Sequence, residues 1–252
     1  MADIDRKMIA NYFKPFPAWT VLCIFLGVIV GIAGILVHVG LIAVAAILVV
    51  IGIVGLTALR KPSDQQMDQW WQQELESLKK KALSKVGFDS ADCIADPVSV
   101  WGPRVENTGG VPLQLKKGSD GIVRFNPVDV SIINFGEHQL VGYQTSYDRF
   151  TGNPLQEETN EYFYKDVVSV TTKTDTTSRD VIVGKEKRRV QLKNSETFRL
   201  TTSGGTEITV FLRDEALLEE VKQAKGGTLP TTQAEQAVAS VRRMLRDKKV
   251  SS

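Results

Sequence analysis

Cysteine and histidine are scarce, with two of each in 252 residues. Cys23 and His38 fall in a long apolar run, and Cys93 and His138 fall in the polar remainder. At these separations the four groups do not make a zinc site. The two cysteines imply no disulfide framework, which suits a reducing compartment. The chain has no Gly-x-Ser-x-Gly elbow and no Gly-rich phosphate loop followed by Lys and Ser or Thr. Charge of one sign is also lacking. The net value of +2 creates no global field toward nucleic acid. Glu157-Glu158 reads as a solvated loop pair. No catalytic, cofactor-binding or metal-binding residue is assigned, and the expectation is a protein that is not an enzyme.

The most informative absence is local. From Ala18 to Leu59 there is no Asp, Glu, Lys or Arg. One span needs about 20 apolar residues to cross ~30 Å of hydrocarbon. This run fits two, Ala18 to Val37 and Leu41 to Leu59, with His38-Val39-Gly40 at the tip. A secretory signal has an apolar core of only about 7–15 residues, so that reading is set aside. Arg6, Lys7 and Lys14 precede the run, and Arg60 and Lys61 follow it. The tip has no Lys or Arg, so the positive-inside rule predicts both termini in the cytoplasm. Gly27, Gly31, Gly34, Gly52 and Gly55 are candidate helix-packing positions, within the hairpin or between copies. No ionisable group stands mid-membrane, which argues against a transport path.

Beyond the run, Pro62-Ser63-Asp64 signals a helix start and Gly87 a stop. Between them Met67, Trp71, Leu75, Leu78 and Ala82 recur at helical spacing, which predicts an amphipathic helix from Asp64 to about Lys85. Residues 88–120 are loop-rich, with short strands around Val98 to Trp101 and Val111 to Leu115, and read as a connector or as an extension that decorates the next domain. From Ile122 to Leu212 the period changes to that of strands. Gly136-Glu137-His138-Gln139, Thr151-Gly152-Asn153-Pro154 and Ser203-Gly204-Gly205 mark turns. Strands are expected at Val128 to Ile132, Leu140 to Tyr147, Glu161 to Thr172, Arg189 to Leu192, and on both sides of the last turn. A helix from Glu215 to about Lys225 follows Asp214. Thr232 to Lys248 reads as a basic amphipathic tail helix, touching the membrane surface, touching a partner helix, or solvated.

The stretch Tyr162-Phe163-Tyr164-Lys165-Asp166-Val167-Val168-Ser169-Val170, then Phe198-Arg199-Leu200, then Ile208 to Asp214, resembles a bacterial pleckstrin-homology-like domain. The resemblance covers about Gly121 to Lys225. It implies an antiparallel β-barrel or sandwich closed by a C-terminal helix, and a binding or assembly module. Members of that family are often fused to membrane helices. The turn at residues 136–139 lacks the basic residues of the eukaryotic phosphoinositide site.

The expected organisation is a cytoplasmic segment (1–17), a transmembrane hairpin (18–60), a juxtamembrane helix (61–87), a connector (88–120), the β domain (121–225) and a basic tail (226–252). The expected fold is therefore a membrane helical hairpin plus an α+β soluble region, located in a bacterial inner membrane. Trp19, Trp70, Trp71, Lys79, Lys80, Lys81, Lys185, Lys187, Arg188 and Arg189 are candidate membrane-surface contacts. For Trp70 and Trp71 the alternative is packing on the soluble part or on a neighbouring copy. The expected partners are the lipid bilayer, further copies of the chain and an unidentified protein, with no nucleic acid and no cofactor. The leading functional expectation is a self-assembling scaffold. The alternatives are an anionic-lipid or envelope-stress sensor and a channel or membrane-complex subunit.

Overall fold

The computed structural model describes residues 4–15, 17–36, 40–58, 60–104, 110–183, 186–205, 207–214 and 234–250. The chain divides into two compact units, Met1–Ser63 and Asp64–Ser252. The expected tip residues His38 and Val39, and the helix expected at 215–225, lie outside the described residues.

The first unit holds three helices: α1 (Arg6–Phe13), α2 (Ala18–Leu36) and α3 (Gly40–Ala58). Asp5 caps α1, accepting a hydrogen bond from the Met8 amide at 3.1 Å. By length and composition, Ala18–Ile35 is apolar enough to cross a membrane. α2 and α3 run antiparallel in contact. A Cβ on Gly27 would meet Val49, one on Gly34 would meet Ile42, and one on Gly52 would meet Ile24.

The second unit is α+β with antiparallel sheets. Strands β1 (Ala95–Pro103), β4 (Val128–Phe135), β5 (Gln139–Asp148) and β6 (Asn153–Phe163) form one sheet in the order β1-β4-β5-β6. Strands β2 (Gln114–Lys117) and β3 (Val123–Asn126) form a two-stranded sheet. Strands β7 (Val167–Val183), β8 (Glu186–Thr202) and β9 (Glu207–Asp214) form a third. Among the described residues no sheet closes into a barrel.

Alternation along β4 explains the layering, because successive side chains point to opposite faces. Val128, Val130 and Ile132 join one core with Tyr143 and Tyr147. Helix α4 (Asp64–Lys85) covers that face through Trp71, Leu75, Leu78 and Ala82. Ile133 and Phe135 face the other way, with Leu140 and Tyr162. Helix α5 (Ala234–Val250) covers that second face with Val238, Val241 and Leu245, and Val167 and Leu200 of the third sheet complete the core. A fully buried side chain of this kind contributes about 1.5–3 kcal/mol. The sheet is thus apolar on both faces, and two helices and a second sheet are needed to cover it.

Three expectations change here. The tail helix is a core element, since its apolar stripe meets the sheet and not a membrane surface. Within the 88–120 stretch, β1 pairs with β4 over most of its length and forms an edge of the main sheet. The single strand expected at Glu161 to Thr172 is broken by a 3-10 turn at Tyr164–Asp166. Tyr164 is buried and its hydroxyl donates to the Gly136 carbonyl at 2.9 Å. Anchoring that ring turns the backbone and carries the chain from the first sheet to the third.

Candidate functional site

In the first unit, the glycines of both helices face one another. A Cβ on Gly27 would lie 2.7 Å from Val49 Cγ2, and one on Gly52 would lie 2.8 Å from the Thr20 carbonyl oxygen. On Gly55 it would lie 2.5 Å from Thr20 and 2.6 Å from Trp19, and on Gly34 it would lie 3.0 Å from Ile42. Gly31 makes ordinary contact with Ala45. All five expected packing glycines therefore serve the approach of α2 to α3 within one chain. What remains outside is mostly large and apolar, including Val21, Leu22, Phe25, Ile29, Ile32, Ile47, Ile51 and Val54.

The polar ends of the pair meet. The Asn11 side chain donates to the Arg60 carbonyl at 3.5 Å, and Lys14 Nζ donates to Asn11 Oδ1 at 3.2 Å. Lys61 Nζ donates to the Lys14 carbonyl. Lys14, which precedes α2, and Arg60 and Lys61, which follow α3, thus lie at one end. Trp19 stands at the same end and is exposed.

In the second unit, three polar clamps fix α4 to the sheets. At its N-terminal end, Arg124 is buried among carboxylates, 2.6 Å from Asp68, 2.7 Å from Asp120 and 3.6 Å from Asp64. Asp64 also accepts from the Ser119 amide and hydroxyl at 2.7 and 2.6 Å. The guanidinium, chiefly through its hydrogen bonds, holds Asp120 below the usual carboxylate range. At mid-helix, Arg149 Nε donates to Glu74 Oε2 at 2.7 Å, and Arg149 Nη2 donates to the Met67 carbonyl at 3.1 Å. The Arg149 guanidinium also lies 5.2 Å from the Trp71 ring centroid, and Trp71 meets Trp101 edge to face.

The third clamp is at the C-terminal end. Glu157 of β6 accepts from the Tyr143 hydroxyl at 2.6 Å, pairs with Lys85 at 3.2 Å and pairs with Lys81. Burial pushes Glu157 up, but hydrogen bonds from Lys81, Tyr143 and Lys85 prevail and bring it to about 2. Burial, then the hydrogen bond to Glu157, pushes the Tyr143 phenol well above its ordinary value.

These positions alter the surface candidates. Trp71 is buried in the core, and Trp70 is buried as well. Neither presents a ring for a headgroup layer. Lys81 is engaged by Glu157, and Lys79 pairs with Glu76 at 2.7 Å within its own helix. Lys80 is exposed. Lys185 lies outside the described residues, while Lys187, Arg188 and Arg189 take part in β8. Glu157 and Glu158 belong to β6, not to a loop.

Sequence reasoning missed Glu74, Arg124 and Arg149. A signal for Glu74 existed: a carboxylate three residues after Trp71 and next to Leu75 interrupts an apolar stripe. Arg149 had none, because Glu74 stands 75 residues from it, and for Arg124 the sequence offers the near Asp120 but not Asp68, which stands 56 residues away. Among the described residues, no group of three or more His, Cys, Asp or Glu side chains is placed to hold a metal. No known family, characterised protein or solved structure matches the chain.

Proposed function

We propose that this chain is a membrane-anchored scaffold, with α2 and α3 both crossing the bilayer and the α+β unit acting as an interaction module in the cytoplasm of a bacterium. One observation carries the reading. The glycines of α2 and α3 are used on the other helix of the pair, leaving an exterior mostly of large apolar side chains that water would not tolerate and lipid would. Each helix is 19 residues long, which at 1.5 Å per residue gives about 28 Å, close to the hydrocarbon thickness. The clustering of Lys14, Arg60 and Lys61 at one end supports a hairpin with both ends on the positive side.

The same glycines argue against assembly through them, because Gly27, Gly34, Gly52 and Gly55 already meet the other helix of the same chain. Self-assembly is therefore assigned to the α+β unit. Its kinship to pleckstrin-homology-like domains is a proposal supported by the β8–β9 hairpin; the closing helix that the resemblance implies, at 215–225, lies outside the described residues. The break between β6 and β7 is a departure from that pattern.

The test is topology by cysteine labelling. Single cysteines at Ala2, His38 and Ser252, in a background lacking Cys23 and Cys93, are probed with an impermeant maleimide in intact cells and in inverted vesicles. The expected outcome is labelling of position 38 from the outside only and of both termini from the inside only. Release of the protein by alkaline carbonate, or labelling of all three sites from one side, overturns the reading.

A further inference from the structure

The ladder between β7 and β8 is much longer than the sheet it belongs to. β9 pairs only with the Ser195–Thr201 part of β8. Beyond it, seven further pairs, from Thr177↔Leu192 to Val183↔Glu186, form a ribbon. Among the described residues no third strand joins that ribbon. Seven residues of strand extend about 23 Å. An isolated two-stranded ribbon is marginal in water, so this arm gains from a further strand.

Its sequence says what kind of strand would suit. The strands of the arm carry Arg179, Lys187, Arg188 and Arg189 against Asp180 and Glu186. An edge of opposite character exists in the same chain. β6 is the outer strand of the four-stranded sheet, and among the described residues nothing pairs with its free side. It runs for 11 residues and contains Glu157, Glu158 and Glu161 with no Lys or Arg. Glu157 is held by α4, but Glu158 and Glu161 are exposed. Natural proteins protect such edges with charge, and a charged edge selects its partner by the opposite sign. Among the described residues the arm does not pair with β6 of its own chain.

We infer that the basic β7–β8 arm of one copy adds to the acidic β6 edge of a second copy by strand addition. The main-chain hydrogen bonds supply affinity and the charges set pairing and register. The contact is head to tail, so each copy offers an arm and an edge, and repetition yields a ring or a filament. The inference rests on the scaffold reading and identifies its partner as this chain itself.

The experiment uses the full chain extracted in mild detergent, with particle mass followed against concentration. The arm is reversed by K187E/R188E/R189E, the edge by E158K/E161K, and a third variant carries both sets. The wild type is expected to form particles larger than the monomer, and each single reversal to weaken association at least tenfold. The combined variant is expected to recover association to within a few-fold of wild type. Raising the salt to about 1 M, which needs no substitution, is expected to weaken wild-type association as well. A monomeric wild type, single reversals that associate as wild type does, or a combined variant that stays dissociated each overturns the inference. Retention of every protein in carbonate-washed membranes is scored separately. Loss of retention there defeats the anchor, whereas a mass result that fails with retention intact defeats only the arm and edge.

Discussion

Arg149 and Glu74 form an ion pair inside the α+β unit, Nε to Oε2 at 2.7 Å, with side chains 4% and 0% exposed. The arginine follows β5 and the carboxylate projects from the middle of α4. The pair therefore joins the helix to the sheet where neither group can reach water. Removing one partner leaves a buried charge without its counter-ion, which costs about 3–5 kcal/mol. Glu74→Gln or Arg149→Met is expected to destabilise the unit by that amount in denaturant titration of the detergent-solubilised chain. The double variant E74L/R149M is expected to recover most of the loss, because apolar packing replaces both charges. A double-variant cost equal to the sum of the two single costs would show that the pair is not coupled.

Glu157 predicts acid sensitivity. Its folded-state value of about 2 lies below its ordinary value of 4.5. A depressed carboxylate contributes stability that is fully present above the unfolded value and is lost as pH falls through the folded one. The contribution of the clamp is thus present at neutral pH and disappears between about pH 4.5 and 2. Glu157→Gln is expected to cost about 1 kcal/mol at pH 7 and nothing at pH 2. Thermal melts of both proteins across that range test it, and a pH-independent difference would rule it out.

The helix pair predicts an inside and an outside. Gly52→Leu places a side chain where the Thr20 carbonyl and Ile24 stand, so it is expected to separate α2 from α3. Ile29→Ala, on the exposed side, is expected to leave them together. Cross-linking of a cysteine pair at Gly31 and Ala45 reads the outcome. Equal cross-linking in both variants would place the helix contact elsewhere.

The tail helix predicts a core cost. Leu245 and Val241 are buried against the sheet, so Leu245→Ala is expected to cost about 2–5 kcal/mol. The exposed neighbour Arg246, changed to Ala, is expected to change stability by less than about 0.5 kcal/mol. A solvated or membrane-surface tail would leave stability unchanged in both variants.

Much of the α+β unit was legible one element at a time. The helix expected from Asp64 to about Lys85 is α4, and the turns at 136–139, 151–154 and 203–205 separate the strands they were read to separate. These are local signals: apolar spacing, and glycines such as Gly87, Gly152 and Gly205 with φ of 68°, 74° and 80°. The break at Tyr164–Asp166 was not legible. Its cause is a hydrogen bond to Gly136, 28 residues away, in a stretch whose composition favours one continuous strand.

The absence of charge from Ala18 to Leu59, the helical stripe of α4 and the alternation of β4 are properties of the chain itself. Period and composition follow from which side chains occur in what order. Which surfaces meet is decided only by the fold. The stripe of the tail helix says that it must be covered, and the second apolar face of the four-stranded sheet decides what covers it. The glycines say that something approaches α2 closely, and the antiparallel contact decides that it is α3 of the same chain. The charges of Glu74 and Arg149 are visible separately, but only packing removes both from water and makes each the other's necessary partner.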